Sequence, residues 1–306
     1  MALATTLVGT APTPRLFRCL PAWMASLAIA PSAILPVALV APLGYAASSS
    51  QLTADQAKIL ESARESALAY TQRLPNFICT QVTHRDAAGL SHSGAGNATV
   101  TGTGIAPVLA FSPDSSDVIE ERLTYFAQKE HYEAITINGK KATGVGHLDN
   151  QGAISAGEFG SGLHDIFDPQ SHTEFSWGRT EKMRGRTVYI FAFHVPKESG
   201  AVVTYPKPDQ QIVVPYAGLV FIDADTRDVM RTTSRLELPA KFPIQMAERM
   251  VDYIPAAIAG RTYNLPSHSE VRMQDGSYLY SNKIDFKNYQ KFTAESTIHY
   301  GSSADQ

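Results

Sequence analysis

Residues 277–300, SYLYSNKIDFKNYQKFTAESTIHY, alternate between dry and wet side chains. From Tyr278 the even positions are Tyr278, Tyr280, Asn282, Ile284 and Phe286, while the odd ones include Ser281, Lys283, Asp285 and Lys287. After Asn288 and Tyr289 the alternation resumes, with Phe292, Ala294, Ser296, Ile298 and Tyr300 set against Lys291, Thr293, Glu295, Thr297 and His299. A period of two belongs to strands buried on one face, so the spacing predicts two of them, 278–287 and 291–300. Such strands need a sheet around them and something to cover the dry face.

The same reading extends over most of the chain. It predicts strands at 77–84, 98–102, 117–126, 130–137, 172–180, 186–195, 201–205, 210–214, 217–223, 228–237, 246–254 and 269–274 as well. Turn chemistry separates them at Asn138-Gly139, Arg184-Gly185, Asp225-Thr226-Arg227 and Asp275-Gly276. Short connections imply antiparallel neighbours and a meander. The expected class is mainly β (α+β): a large curved antiparallel sheet or half-open barrel with a long N-terminal helix and a short mid-chain helix.

The long helix is TADQAKILESARESALAYTQRLP, from Thr53 to Pro75, opened by a Thr53/Gln56 capping box and striped by Leu60, Ala63, Ala67, Tyr70 and Leu74. Thr187–Val195 and Gly218–Asp223 are apolar on both faces, which calls for cover outside the sheet as well as inside, and this helix is the obvious cover. The glycine-rich stretch from Gly139 to Gly162 reads as a loop or lid. It runs into the short helix, for which Ser155 and Glu158 form a second capping box ahead of Phe159, Leu163, Ile166 and Phe167. Residues 86–98 read as a surface loop.

Residues 1–46 have the pattern of a cleaved signal peptide. Arg15 and Arg18 precede an uncharged run that ends in Gly44-Tyr45-Ala46, and Pro21, Pro31, Pro36 and Pro42 interrupt it as a spanning helix. The expected mature chain, 47–306, is a single periplasmic domain and not an integral membrane protein. The full chain carries a formal net charge of −3, and the two arginines leave with the signal. An acidic chain without a basic cluster is no candidate for nucleic-acid binding. Cys79 then stands alone, so no internal disulfide forms and the core must stabilise the fold.

Catalytic motifs are few. Phe159-Gly160-Ser161-Gly162-Leu163 is out of frame for a nucleophile elbow. Gly94-Ala95-Gly96 and Gly102-Thr103-Gly104 lack the third glycine of a dinucleotide loop, and no cofactor is expected. Glu120 and Glu121 are adjacent on a strand and point to opposite faces, while Asp223, Asp225 and Asp228 occupy a turn. One cluster, His164, Asp165, Asp168 and His172, has metal-ligand chemistry and sustains an alternative reading as a metal-dependent enzyme.

That leaves the apolar strand faces as the candidate binding surface. Tyr189, Phe191, Phe193, Tyr278, Ile284, Phe286 and Ile298 would line the concave side, with Phe159 and Phe167 on the lid, and the ligand would be an acyl chain or another hydrophobic small molecule. The other alternative is an envelope scaffold whose core is filled by its own side chains and whose partner is an envelope protein.

The order of elements resembles the LolA/LolB/RseB-type lipoprotein-carrier superfamily. It runs signal, long helix, meander, mid-chain lid, then GLVFIDADTRDVMRTTSRLEL, MVDYI and two closing strands. The resemblance implies a half-open barrel that cups acyl chains beneath helices, without catalysis. It carries no residue of the family onto Arg227, Arg231 or Arg235. NYQKFTAESTI also looks like exported bacterial proteins, which implies compartment and fold.

Overall fold

The computed structural model describes residues 51–89, 113–142, 158–206 and 209–292. The signal segment, the strand expected at 98–102, residues 293–300 of the last expected strand, Ile298 among them, and residues 143–157 of the expected lid lie outside them.

Helix α1 (Ala54–Arg73) starts where the capping box places it, with the Thr53 hydroxyl accepting from the Gln56 N–H and the Gln56 side chain accepting from the Thr53 N–H. Thirteen strands follow. Eleven of them form one antiparallel sheet in the order β4-β3-β2-β1-β13-β12-β11-β10-β9-β6-β5. From β1 (Phe77–Gly89) the chain steps outward through β2 (Ser115–Phe126), β3 (Lys129–Ile137) and β4 (Lys140–Lys141) to one edge. It crosses to the opposite edge through α2 (Ser161–Phe167). It then returns inward through β5 (Glu174–Met183), β6 (Arg186–Val195), β9 (Tyr216–Asp223), β10 (Val229–Leu236), β11 (Ile244–Ile258), β12 (Arg261–Asp275) and β13 (Tyr278–Lys291), until β13 pairs with β1. The meander is thus two runs that meet at first and last strands. A separate hairpin, β7 (Ala201–Pro206) with β8 (Asp209–Val214), interrupts the second run.

Four expectations are corrected. Residues 86–89 of the expected surface loop continue β1, paired with β13. The break at Asn288-Tyr289 is not a turn: β13 runs through it, with Asn288 at φ +58° and a register shift opposite Ile78 and Thr80. An inserted residue reverses the side-chain parity, so Tyr289 joins Phe286 on the buried face. Strand β12 begins at Arg261, eight residues before the expected start. Pro266 hides its strand character, and it is tolerated because the β13 ladder begins only at His268. Lastly, α2 has no capping box. Its N-cap is Gly160 at φ 121°, without a side-chain cap, and Glu158 and Phe159 are buried ahead of the helix.

Cover for the sheet is concentrated on one side, here the inner face. Leu60, Ala63, Ala67 and Tyr70 of α1 and Leu163, Ile166 and Phe167 of α2 pack on Phe191, Phe193, Val220, Ile222, Val251 and Tyr253. A second cluster joins Phe77, Cys79, Leu123, Tyr125 and Phe286 to Phe159, and the hairpin residues Val203, Tyr205 and Val214 to Ile244, Met273 and Tyr280. Hence α1 and α2 cover the same face. The outer sides of β6 and β9 bury Val188, Ile190 and Phe221 in a small cluster with Met183, Leu219 and Met230.

Elsewhere the outer face is laced by ion pairs. Arg231 makes two hydrogen bonds to Asp252, at 2.8 and 2.7 Å, and Arg184 adds a third at 3.3 Å. Arg186 pairs with Asp223 and holds its carboxyl well below the ordinary range. His268 lies between Asp285 at 2.8 Å and Glu270 at 3.4 Å.

Close approach is most demanding at Gly218, paired with Phe193 on β6 and Ser234 on β10. A Cβ there would lie 1.8 Å from the Thr233 carbonyl oxygen and 3.0 Å from the Phe193 ring. Because the first obstacle is backbone, Gly218→Ala is expected to destabilise the fold by about 1–3 kcal/mol in urea unfolding, as overpacked core sites do.

Candidate functional site

The strand registers determine which side chains share the inner wall. One cross-strand row runs Ile119, Thr83, Ile284, Ser269, Val251, Thr232, Val220, Phe191, Trp177 through nine strands. The next row contains Asp117, Arg85, Asn282, Val271, Arg249, Ser234, Gly218, Phe193 and Phe175. On the other flank Glu121 and Gln81 stand opposite Phe286.

The expected ligand-contacting residues fall into two groups on this wall. Near the β5 edge Phe191 packs edge-on against Trp177 at 5.1 Å, Phe193 lies near Phe175 and Tyr216, and Phe167 stacks on Phe175 at 5.5 Å. Tyr189 sits at the rim of this group, half-buried, with the Arg227 guanidinium 5.4 Å above its ring. Towards β1 and β13, Phe286 and Ile284 are buried, and Tyr278 stacks on Tyr280 at 6.4 Å.

Phe159 belongs to the second group and is its centre. Four aromatic rings surround it: Phe286 at 5.1 Å, Phe77 at 5.3 Å, Tyr289 at 6.3 Å and Tyr125 at 6.4 Å. Those rings come from β1, β2 and β13, whereas Phe159 arrives on the segment leading into α2. Its tether is polar. The Phe159 N–H donates to Glu130 at 3.4 Å, whose other oxygen accepts from the Tyr132 hydroxyl, and the Tyr253 hydroxyl donates to the Glu158 carbonyl at 3.5 Å. Above this latch the Tyr70 hydroxyl is buried without a partner. Burial raises the Tyr70, Tyr132 and Tyr253 phenols above their ordinary values.

The His164–His172 cluster does not converge. His164 is exposed with Asp168 3.8 Å away, the Asp168 side chain caps the following turn through the Gln170 N–H, and His172 adopts a left-handed conformation at φ 51°. No group of three or more His, Cys, Asp or Glu that could hold a metal occurs among the described residues. Asp165 alone turns towards the wall. Burial pushes its carboxyl up to about 6 in spite of nearby His164 and Arg249.

The alternation places Asn282 on the dry face without a role, and Gln81, Thr83, Glu121, Arg249 and Ser269 are polar members of the wall that it does not single out as site residues.

No protein-family model and no curated protein matches the chain. Among solved structures it is similar to a domain described as an outer membrane lipoprotein-sorting protein from Vibrio parahaemolyticus. Identity is 10%, coverage 82% of this chain and 95% of that one, and the TM-score 0.33. A DUF1329 family protein from Desulfovibrio piger shares 11% identity over 78% of this chain and 95% of that one, with a TM-score of 0.32. The lipoprotein LppX from Mycobacterium tuberculosis shares 9% identity over 78% and 98%, with a TM-score of 0.26.

The buried carboxyl of Asp165 has a consequence for stability. Its folded value lies above the ordinary 3.8, so the native chain binds the extra proton and stability falls as pH rises from about 4 to 6, then stays lower. Asp165→Asn removes that dependence. The variant is expected to melt higher than the parent at pH 7.5 and together with it at pH 4, as followed by circular dichroism.

Proposed function

We propose that the protein is a non-catalytic carrier that binds an acyl chain or similar apolar ligand on the inner face of its sheet. The observation that supports this reading is the lodging of Phe159. An aromatic cage built by β1, β2 and β13 is occupied by a side chain from the crossing segment, and the short helix behind it lacks a side-chain N-cap. A ligand chain fits where that ring sits, and the segment is the piece that would move aside. Export through the signal-like N-terminus would place the carrier in the periplasm. Among the described residues no helix is long and apolar enough to cross a membrane. The expected ligand contacts are Phe159, Phe286 and Ile284 in the cage, with Phe191, Phe193 and Phe167 under α2.

A scaffold with a self-filled core is the second reading, favoured by the burial of these residues against the chain's own side chains. Delipidated protein titrated with dansylundecanoic acid separates the two. A carrier binds it saturably and releases it to dodecanoate. Phe159→Ala is expected to lower apo stability by about 3–5 kcal/mol while tightening probe binding, because the native occupant no longer competes. Phe286→Ala should weaken binding. Absence of saturable binding in both the parent and Phe159→Ala would leave the scaffold.

A further inference from the structure

The inner wall is not uniformly apolar. Across β2, β1, β13 and β12 runs a buried polar seam made of Glu121, Gln81, Thr83, Asn282 and Ser269, none more than 6% exposed. Ser269 forms its end on β12, where the two hydrophobic clusters meet. The cross-strand neighbours of Ser269 are Ile284 and Val251, which belong to different clusters. Ser269 is 0% exposed, and its hydroxyl has no hydrogen-bond partner. A buried hydroxyl left unsatisfied costs free energy, and native structures rarely keep one without a use.

We propose that this seam is the head-group subsite of the carrier, and that the ligand it suits is a neutral amphiphile with a polyhydroxylated head. The inference rests on the carrier reading and adds the chemistry of the head. The seam offers hydroxyls and amides at Thr83, Ser269, Gln81 and Asn282 and one carboxylate. Gln81 donates to Glu121 at 2.9 Å and to Thr83 at 3.5 Å, so these three act as a single hydrogen-bonding unit. Strands lie about 4.8 Å apart, so Ser269 on β12 and Thr83 on β1 are separated by about 10 Å; on β13 Ile284 stands between them in the same row, and Asn282 lies one inward row along, diagonal to both. That span matches several hydroxyls on one head rather than one.

Charge argues for a neutral head. The carboxylate of Glu121 repels an anion. In the adjoining row Arg85 and Arg249 disfavour a cation, while Arg85 is itself matched to Asp117 at 2.8 Å. A hydroxyl can donate to Glu121 and accept from Ser269, which neither ion does as well. From the seam, apolar wall extends both ways, to the Phe159 cage and to the aromatic surface under α2, so a chain attached to the head has somewhere to lie.

The test compares two probes that share a dodecyl chain, dodecyl maltoside and dodecanoate, each below its micelle concentration, by calorimetric titration of the full mature protein. Ser269→Ala and Glu121→Gln are each expected to weaken dodecyl maltoside about tenfold, the value of one good hydrogen bond, and to leave dodecanoate unchanged. The melting temperature of Ser269→Ala should stay level or rise, since the hydroxyl removed has no partner in the free protein. Equal weakening of both probes, or of neither, overturns the head-group assignment while the carrier reading stands. If the unmodified protein binds neither probe, the carrier reading itself falls.

Discussion

An open sheet with one dry face must be covered, and the rest of this structure follows from how that is done. The two edge strands, β4 and β5, do not pair with each other, so closure does not bury the inner wall as it would in a barrel. Burial there must come from elements laid across the wall. Three separate pieces supply it: α1, the Phe159 segment with α2, and the β7–β8 hairpin. Each lies on the same face, and each comes from a different part of the chain. A wall covered piecemeal has seams, and a seam is where a fold can hold something other than itself.

The outer face solves the complementary problem. Where both sides of β6 and β9 are apolar, a compact cluster of Val188, Ile190 and Phe221 closes on flanking methionines and leucine. Across β10 to β13 the row Arg231, Asp252, His268, Asp285 alternates in charge from strand to strand. Opposite charges on neighbouring strands favour this register over a slipped one. His268 titrates within that row. The acids beside it raise its value above the ordinary 6.5, so its contribution is full below 6.5 and fades as pH climbs through the raised value. The outer face thus holds the sheet in register without needing cover.

Much of this was legible in the alternation of side chains. Strand β6 was read at its observed bounds, and β9 and β10 within one residue, because Gly, Asp and Arg punctuate a strict period of two. The capping box placed α1 to the residue. What escaped reading has physical causes. The bulge at Asn288 looks like a turn because both interrupt the period, and only pairing with β1 tells them apart. The start of β12 was hidden by Pro266, a residue whose penalty depends on whether a ladder lies on its N–H side.

The site was legible only as grease. Phe159, Phe191, Phe193 and Phe286 stood out because aromatic residues at inward parity are conspicuous, and the structure does bury them. Their separation into two clusters was invisible, since it depends on which covers reach which strands. Ser269 escaped notice for a related reason. In a sequence, an inward serine between Ile284 and Val251 is a weak spot in a core; in the assembled sheet it lies where two cores abut, and its hydroxyl finds no acceptor. A core selected only for stability would favour alanine or valine there, because the hydroxyl contributes desolvation cost and no bond.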